Sequence, residues 1–217
     1  SNAAMSYAKM GTDWYFSNGT DAGRITGSSV YPIGLPTPAS PTAVLIGGAL
    51  SKGQYKILTA YANSSTGEEG GMSEPLNMDA ENGIRVTLPG VVDGATHVNV
   101  YLSDPNGTAA QLHSSVAIGT ATLDLTDKAT GRAANARFEQ PLPSGTLFTS
   151  NGRLCSFAGS TVYVGLPYRP GYYDPVAGFI PFTEDVTIAI ENQSGTYIVA
   201  DQTYYIPGDL GNVQEAI

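Results

Sequence analysis

The chain has 217 residues, a formal net charge of −9 and 41% hydrophobic content, enough apolar material to bury at least one core. Its ten Lys and Arg are scattered, which excludes the basic stripe that holds a phosphate backbone, so nucleic acid is not an expected partner. No window approaches the ~18 consecutive apolar residues of a membrane span, and no charged-then-apolar signal layout opens the chain, so a membrane partner is not expected either.

The leading "SNA" looks like the remnant of an expression tag, and residues 1–4 are set apart from the fold. "WYFSNGTDAGRITG" (14–27) predicts a hairpin within a set of N-terminal strands, 5–35. "GLPTPASPTA" (34–43) cannot lie inside a central strand, and "EQPLPSG" (139–145) mirrors it. The pair brackets a β-sandwich predicted over 36–142. Inside it, "TAVLI" (42–46) predicts a strand, and "QYKILTAYA" (54–62) predicts a half-buried one with Tyr55, Ile57, Thr59 and Tyr61 on one side. "NSSTGEEGGMSEP" (63–75) reads as an exposed, mobile polar loop. In "IRVTL" Ile84, Val86 and Leu88 alternate with polar residues, and in "HVNVYL" Val98, Val100 and Leu102 alternate with Asn99 and Tyr101. Each predicts a strand with one wet face.

"LSDPNGT" predicts a tight turn after Leu102, because Asn-Gly tolerates positive φ. Strands near 112–118 and over "TATLDLT" (120–126) complete the sandwich, and "TGRAANARFEQ" (130–140) is either a helix or an irregular linker. Over 143–217, "TLFTSNGRLCSFAGSTVYVG", "VTIAI", "TYIVA" and "TYYI" predict C-terminal strands that join those of 5–35 in a second antiparallel module, with the sandwich inserted in it. The predicted fold class is all-β, and the 26 Gly and 14 Pro fall between apolar strings, as turns between short strands require.

Chemistry-bearing motifs are sparse. Cys155 is the only cysteine, which excludes an intrachain disulfide, and its apolar setting in "RLCSFAG" predicts a buried, inert thiol. His97 and His113 have no HExxH or Cys/His company, "TGEEGG" lacks the Lys-Ser/Thr of a phosphate loop, and no GxSxG elbow exists. Neither a metal, a cofactor nor enzymatic activity is expected. Asp174, Glu184 and Asp185 are the nearest approach to the carboxylate pair that a glycosidase needs. The sequons at Asn18, Asn63, Asn106 and Asn192 are equally well explained as turns.

"PYRPGYYDPVAGFIPF" (167–182) concentrates proline and aromatic residues. It reads as a proline-stiffened connection whose tyrosines cover the core edge, with Tyr168, Arg169, Tyr172 and Tyr173 as the candidate partner-contact surface.

"NGRLCSFAGSTVYVGLPYRPGYYDPVAGFIPF" and "GTYIVADQTYYIPGD" resemble phage and prophage virion proteins of the tail or head-tail region, which are rich in propeller-like β-blades. "GQYKILTAYANSSTGEEGGMSEP", "GIRVTLPG" and "THVNVYLSDPNGT" are similar to the fibronectin type III-like domains embedded in such chains. The resemblance spans 14–209 and implies a non-enzymatic structural role in a virion assembled in the bacterial cytoplasm. The partners it implies are other virion proteins and further copies of the chain in a symmetric assembly. The flanks fall short of a full propeller, which needs about 4 to 8 blades. Two alternatives stand beside this reading: a module that binds a host-surface glycan or protein, and a carbohydrate-active enzyme.

Overall fold

The computed structural model describes residues 4–135 and 139–211; 58% is strand and 1% helix, arranged as several antiparallel sheets of which one forms a half-barrel. Two compact units share the chain, one made of Ser1–Gly34 with Glu139–Ile217 and the other of Leu35–Phe138.

The first unit opens with strands β1 (Ser6–Met10), β2 (Asp13–Ser17), β3 (Ala22–Thr26) and β4 (Ser29–Tyr31), which form a four-stranded antiparallel meander in chain order. The hairpin predicted over 14–27 is the β2–β3 pair, with Trp14 opposite Ile25. Asn18 caps its turn, accepting at Oδ1 from the Thr20 and Asp21 amides at 2.9 and 2.7 Å.

The second unit contains β5 (Thr42–Asn63), β6 (Glu68–Met72), β7 (Leu76–Thr87), β8 (His97–Ser103), β9 (Ala110–Ala117) and β10 (Thr122–Leu125). They form one sheet in the order β10-β7-β5-β8-β9, with β6 also on β5. The two strands predicted over 42–46 and 54–62 are fused into the single 22-residue β5, whose register against β7 shifts at Ile46/Leu50 and again at Leu50/Gly53. Such bulges bend a strand. Gly48 permits this one, because a Cβ there would stand 2.2 Å from the Asn82 carbonyl oxygen. Folding over at the bulges, the sheet encloses Leu50, Tyr55, Ile57, Ile84, Val86 and Val100 in a common core, which gives the unit its sandwich-like packing.

Two local expectations fail. The loop predicted over 63–75 contains β6, with Gly70, Gly71, Met72 and Ser73 buried. Its glycines serve close packing: a Cβ on Gly70 would meet the Leu35 carbonyl at 2.9 Å. Strand β8 has no wet face: Asn99 and Tyr101 are 6% and 0% exposed, because the side of the sheet they point to is packed as well. Tyr101 packs with Leu58, Ala60, Met72 and Ala110 in a second cluster on the reverse of the sheet. The turn after Leu102 is as expected, with Asn106 at φ 60° and the Gly107 amide donating to the Asp104 carbonyl at 2.9 Å. The segment 131–135 is extended, not helical; it runs beside β9, where Leu112 N donates to Arg132 O and Ala134 N to Ala110 O, both at 2.8 Å. Residues 136–138 of that prediction lie outside the described residues.

Returning to the first unit, the chain forms β11 (Gln140–Pro141), β12 (Thr146–Ser150), β13 (Arg153–Ala158), β14 (Thr161–Leu166), β15 (Arg169–Tyr173) and β16 (Phe179–Pro181), a sheet ordered β11-β15-β14-β13-β12 with β16 on β14. A last three-stranded sheet follows, β17 (Ile188–Asn192), β18 (Gly195–Val199) and β19 (Thr203–Pro207). The three sheets of this unit stack face to face, with β12 next to both β1 and β17. The middle sheet is therefore apolar on both sides. Leu147 and Leu154 pack with Ala8, Tyr15, Ile33 and Leu142, while Phe148, Cys155, Phe157 and Val162 pack with Ile198 and Leu210.

Cys155 is fully buried, and loss of hydration pushes its thiol up to about 12 from an ordinary value of 9.0, beyond the small opposing effects of the Gly165 backbone and Arg153. An aromatic disulfide reagent at pH 8 is expected to leave native protein unmodified and to titrate one thiol in denaturant. Native labelling at the rate of a free thiol would contradict this burial.

Candidate interaction surface

Of the four residues singled out in the sequence, the structure leaves Tyr168 fully on the surface, brings Arg169 and Tyr172 together, and turns Tyr173 against Tyr163. Tyr168 is 99% exposed at φ 63°, the left-handed corner of the turn between β14 and β15. Residues 169–173 and 179–181 form strands that both pair with β14, so the stretch 167–182 is built into the sheet where a long connection was expected. Gly171 at φ 92° and the register shift at Gly165/Leu166 let it pair despite Pro170.

Tyr172 is 2% exposed under Gly34, and the Arg169 guanidinium lies 4.6 Å from its ring centroid. Arg169 Nε also stands 2.9 Å from Oε2 of Glu139, a carboxylate with 4% of its side chain exposed. Burying that charge requires a partner, and Arg169 supplies it. Tyr173 meets Tyr163 edge-on at 5.2 Å, and burial, assisted by Tyr163, raises its hydroxyl pKa. Arg169, Tyr172 and Tyr173 thus act as packing and charge-neutralising residues, while Tyr168 faces solvent.

The larger exposed apolar surface lies on the two outermost sheets of the same unit. On the first sheet the register aligns Lys9, Trp14, Ile25 and Val30 across all four strands, with Tyr7 and Phe16 in the next row. Tyr7, Trp14 and Val30 are 59%, 47% and 66% exposed, and Lys9 Nζ sits 5.7 Å from the Trp14 ring centroid. On the last sheet Ile190, Tyr197 and Tyr205 form one row, with Ile188 beside them. Tyr197 and Tyr205 stack at 4.8 Å, and Ile188 and Ile190 are more than half exposed. Aligned apolar rows of this kind mark contact surfaces more than scattered exposed residues do. Sequence reasoning passed over them, although apolar residues on both parities in "TIAI" and "TYYI" are the signature of strands covered on two faces.

The second unit offers a polar cleft of about 220 Å³ lined by Asn63, Glu68, Glu69, His97, Asn99 and Arg132, among others. Glu69 is its hub: Oε1 accepts from Asn99 Nδ2 at 2.6 Å and from the Tyr101 hydroxyl at 2.5 Å, and Oε2 accepts from Arg132 at 2.7 Å. This carboxylate is committed to holding the sheet together. Asp174 is likewise engaged, its Oδ1 accepting from the Val176 and Ala177 amides at 2.8 and 3.3 Å in a turn. His113 Nε2 lies 3.1 Å from Asp127 Oδ1, and His97 Nδ1 lies 2.9 Å from Thr96 Oγ1. No family model and no curated protein matches this chain.

Proposed function

We propose that the protein is a non-enzymatic structural component of a phage or prophage particle, in its tail or head-tail region, working through protein–protein contact. The observation that carries this reading is the pair of aligned apolar faces on the two outermost sheets of the first unit, Tyr7, Trp14 and Val30 on one and Ile190, Tyr197 and Tyr205 on the other. Chemistry for turnover is not what these faces offer; large rings at low conformational cost suit a partner surface. Its stacked meanders are blade-like, and the sandwich-like second unit suits a fibronectin type III-like domain, both in keeping with the virion resemblance. The test is particle composition: neighbouring genes should encode capsid, portal or tail proteins, and the chain should recur at fixed stoichiometry in purified particles. A chain absent from such particles, in a locus without those genes, overturns the proposal.

Exposed Trp14 favours one second reading, recognition of a host-surface glycan by the first sheet, since an indole face stacks on sugar rings. A glycan array signal lost in Trp14→Ala would support it, and no signal from the intact chain would remove it.

A further inference from the structure

The turn between β14 and β15 carries a residue that stability does not explain. Leu166 pairs with Arg169 across Pro167 and Tyr168, and Tyr168 holds φ 63°. Proline followed by a positive φ is the type II pattern, whose second corner favours glycine because an L side chain crowds its own backbone there. Every other described residue with positive φ is Gly or Asn. Tyr168 does not offset that strain by packing, since it is 99% exposed. Strain kept at a bare surface position points to a contact outside the chain. Exposure also defines that contact. Both faces of the ring are bare; a flat surface or a sugar ring covers only one, whereas a pocket covers both. The tip is uncharged and ends in a hydroxyl, because the Arg169 guanidinium behind it is turned to Glu139 and the Tyr172 ring. A matching pocket therefore has aliphatic walls and a free acceptor.

The second unit contains such a pocket. A cleft of about 650 Å³ lies at the β5 bulges, lined by Leu45, Ile46, Lys52, Asp79 and Glu81, among others. Leu45 is 58% exposed and belongs to no core cluster. Neither carboxylate takes part in a hydrogen bond or ion pair among the described residues. The cleft around Glu69 is smaller, and that carboxylate already accepts from Asn99, Tyr101 and Arg132. We infer that Tyr168 of one copy of this chain inserts into the β5 cleft of a second copy, its hydroxyl donating to Asp79 or Glu81. The inference rests on the assembly reading above and adds its partner, a second copy. Knob and cleft are different patches, so every copy offers one of each, and the contact runs head to tail, closing into a ring or continuing as a fibre. One turn in one cleft is a small interface, so each contact is weak, and closure of a ring strengthens it.

The test is sedimentation equilibrium of the full chain over a wide concentration range, together with denaturant unfolding. Wild type is expected to rise in mass above 22.6 kDa as concentration rises. Tyr168→Gly removes the knob and the strain together, so it is expected to raise the unfolding midpoint and to weaken self-association about 10-fold or more. Leu45→Arg, at an exposed position, fills the cleft and is expected to weaken association to the same extent. An equimolar mixture of the two variants joins the open cleft of the first to the intact knob of the second. It is expected to stop at two copies, because that pair has neither a further knob nor a further open cleft. Pairing in the mixture also shows that both variants fold. A wild type that stays monomeric at the highest concentration reached, a Tyr168→Gly midpoint below wild type, association that survives either substitution, or a mixture that fails to pair or grows past two copies would each overturn the inference. Particle composition is measured separately, so a chain that belongs to a virion and yet fails to pair with itself is distinguishable from one that belongs to no virion.

Discussion

Gly171→Ala is expected to destabilise the first unit by about 3–5 kcal/mol, while Gly27→Ala costs only about 1 kcal/mol. Both glycines have positive φ, 92° and 61°, so both substitutions incur the backbone penalty of an L-residue there. They differ in what a side chain would meet. At Gly27 nothing lies within 4 Å, but at Gly171 a Cβ would stand 2.1 Å from the Ile33 carbonyl oxygen. That obstacle is backbone and cannot rotate away. Relief requires β15 to move from the chain at Ile33, which disturbs the Gly171 carbonyl that accepts from the Leu142 amide at 2.8 Å, and the buried Tyr172 next to it. Denaturant unfolding of the two variants measures the difference, and hydrogen exchange locates it: protection should fall in β12–β15 and hold in β5–β8. Equal losses at the two positions would show that the close crossing at Gly171 does not govern this region.

Gly171 illustrates why part of this fold was legible in the sequence and part was not. Alternation in Ile84, Val86 and Leu88, or in Val98, Val100 and Leu102, is a local pattern, and all six are buried. Glycine and proline are ambiguous by comparison. In "GEEGG" and "RPGYY" they mimic loops, yet they mark strands that need positive φ or a near approach of backbone, and only the distant partner, Leu35 or Ile33, tells the two apart. Burial of polar residues is non-local in the same way: Asn99 and Tyr101 look solvent-facing until Glu69, thirty residues away in sequence, is placed opposite Asn99. The candidate surface suffered most. Aromatic density pointed to Tyr172 and Tyr173, whereas the exposed rows across β1–β4 and β17–β19 exist only once strand register sets Trp14 in one row with Val30 and Tyr197 beside Tyr205.

Glu69→Leu is expected to cost about 3–5 kcal/mol, because it strands several groups at once. The Tyr101 hydroxyl and the Asn99 amide both lose an acceptor in a part of the sheet where Tyr101 is 0% exposed, and Arg132 loses the carboxylate 2.7 Å away while still lying over the Tyr101 ring at 5.5 Å. Tyr101→Phe removes one donor and keeps the ring, so it should cost about 1.5–3 kcal/mol, the range for a hydrogen bond to a charged group. In the double variant that bond is absent from both partners, and a cycle of the three should return a coupling of similar size. Alkaline unfolding gives an independent reading. Burial first, and then the hydrogen bond and negative charge of Glu69, hold the Tyr101 hydroxyl well above its ordinary 10.0, outweighing Arg132 and Asn99. A group whose pKa is raised on folding contributes stability below its unfolded value and loses it above, so stability should fall as pH passes 10, by up to about 1.4 kcal/mol per unit from this one group. Tyr101→Phe should flatten that fall relative to wild type. A coupling near zero together with parallel pH profiles would mean that Asn99 and Arg132 hold Glu69 without help from the tyrosine hydroxyl, and that the buried tyrosine contributes only its ring to the sheet.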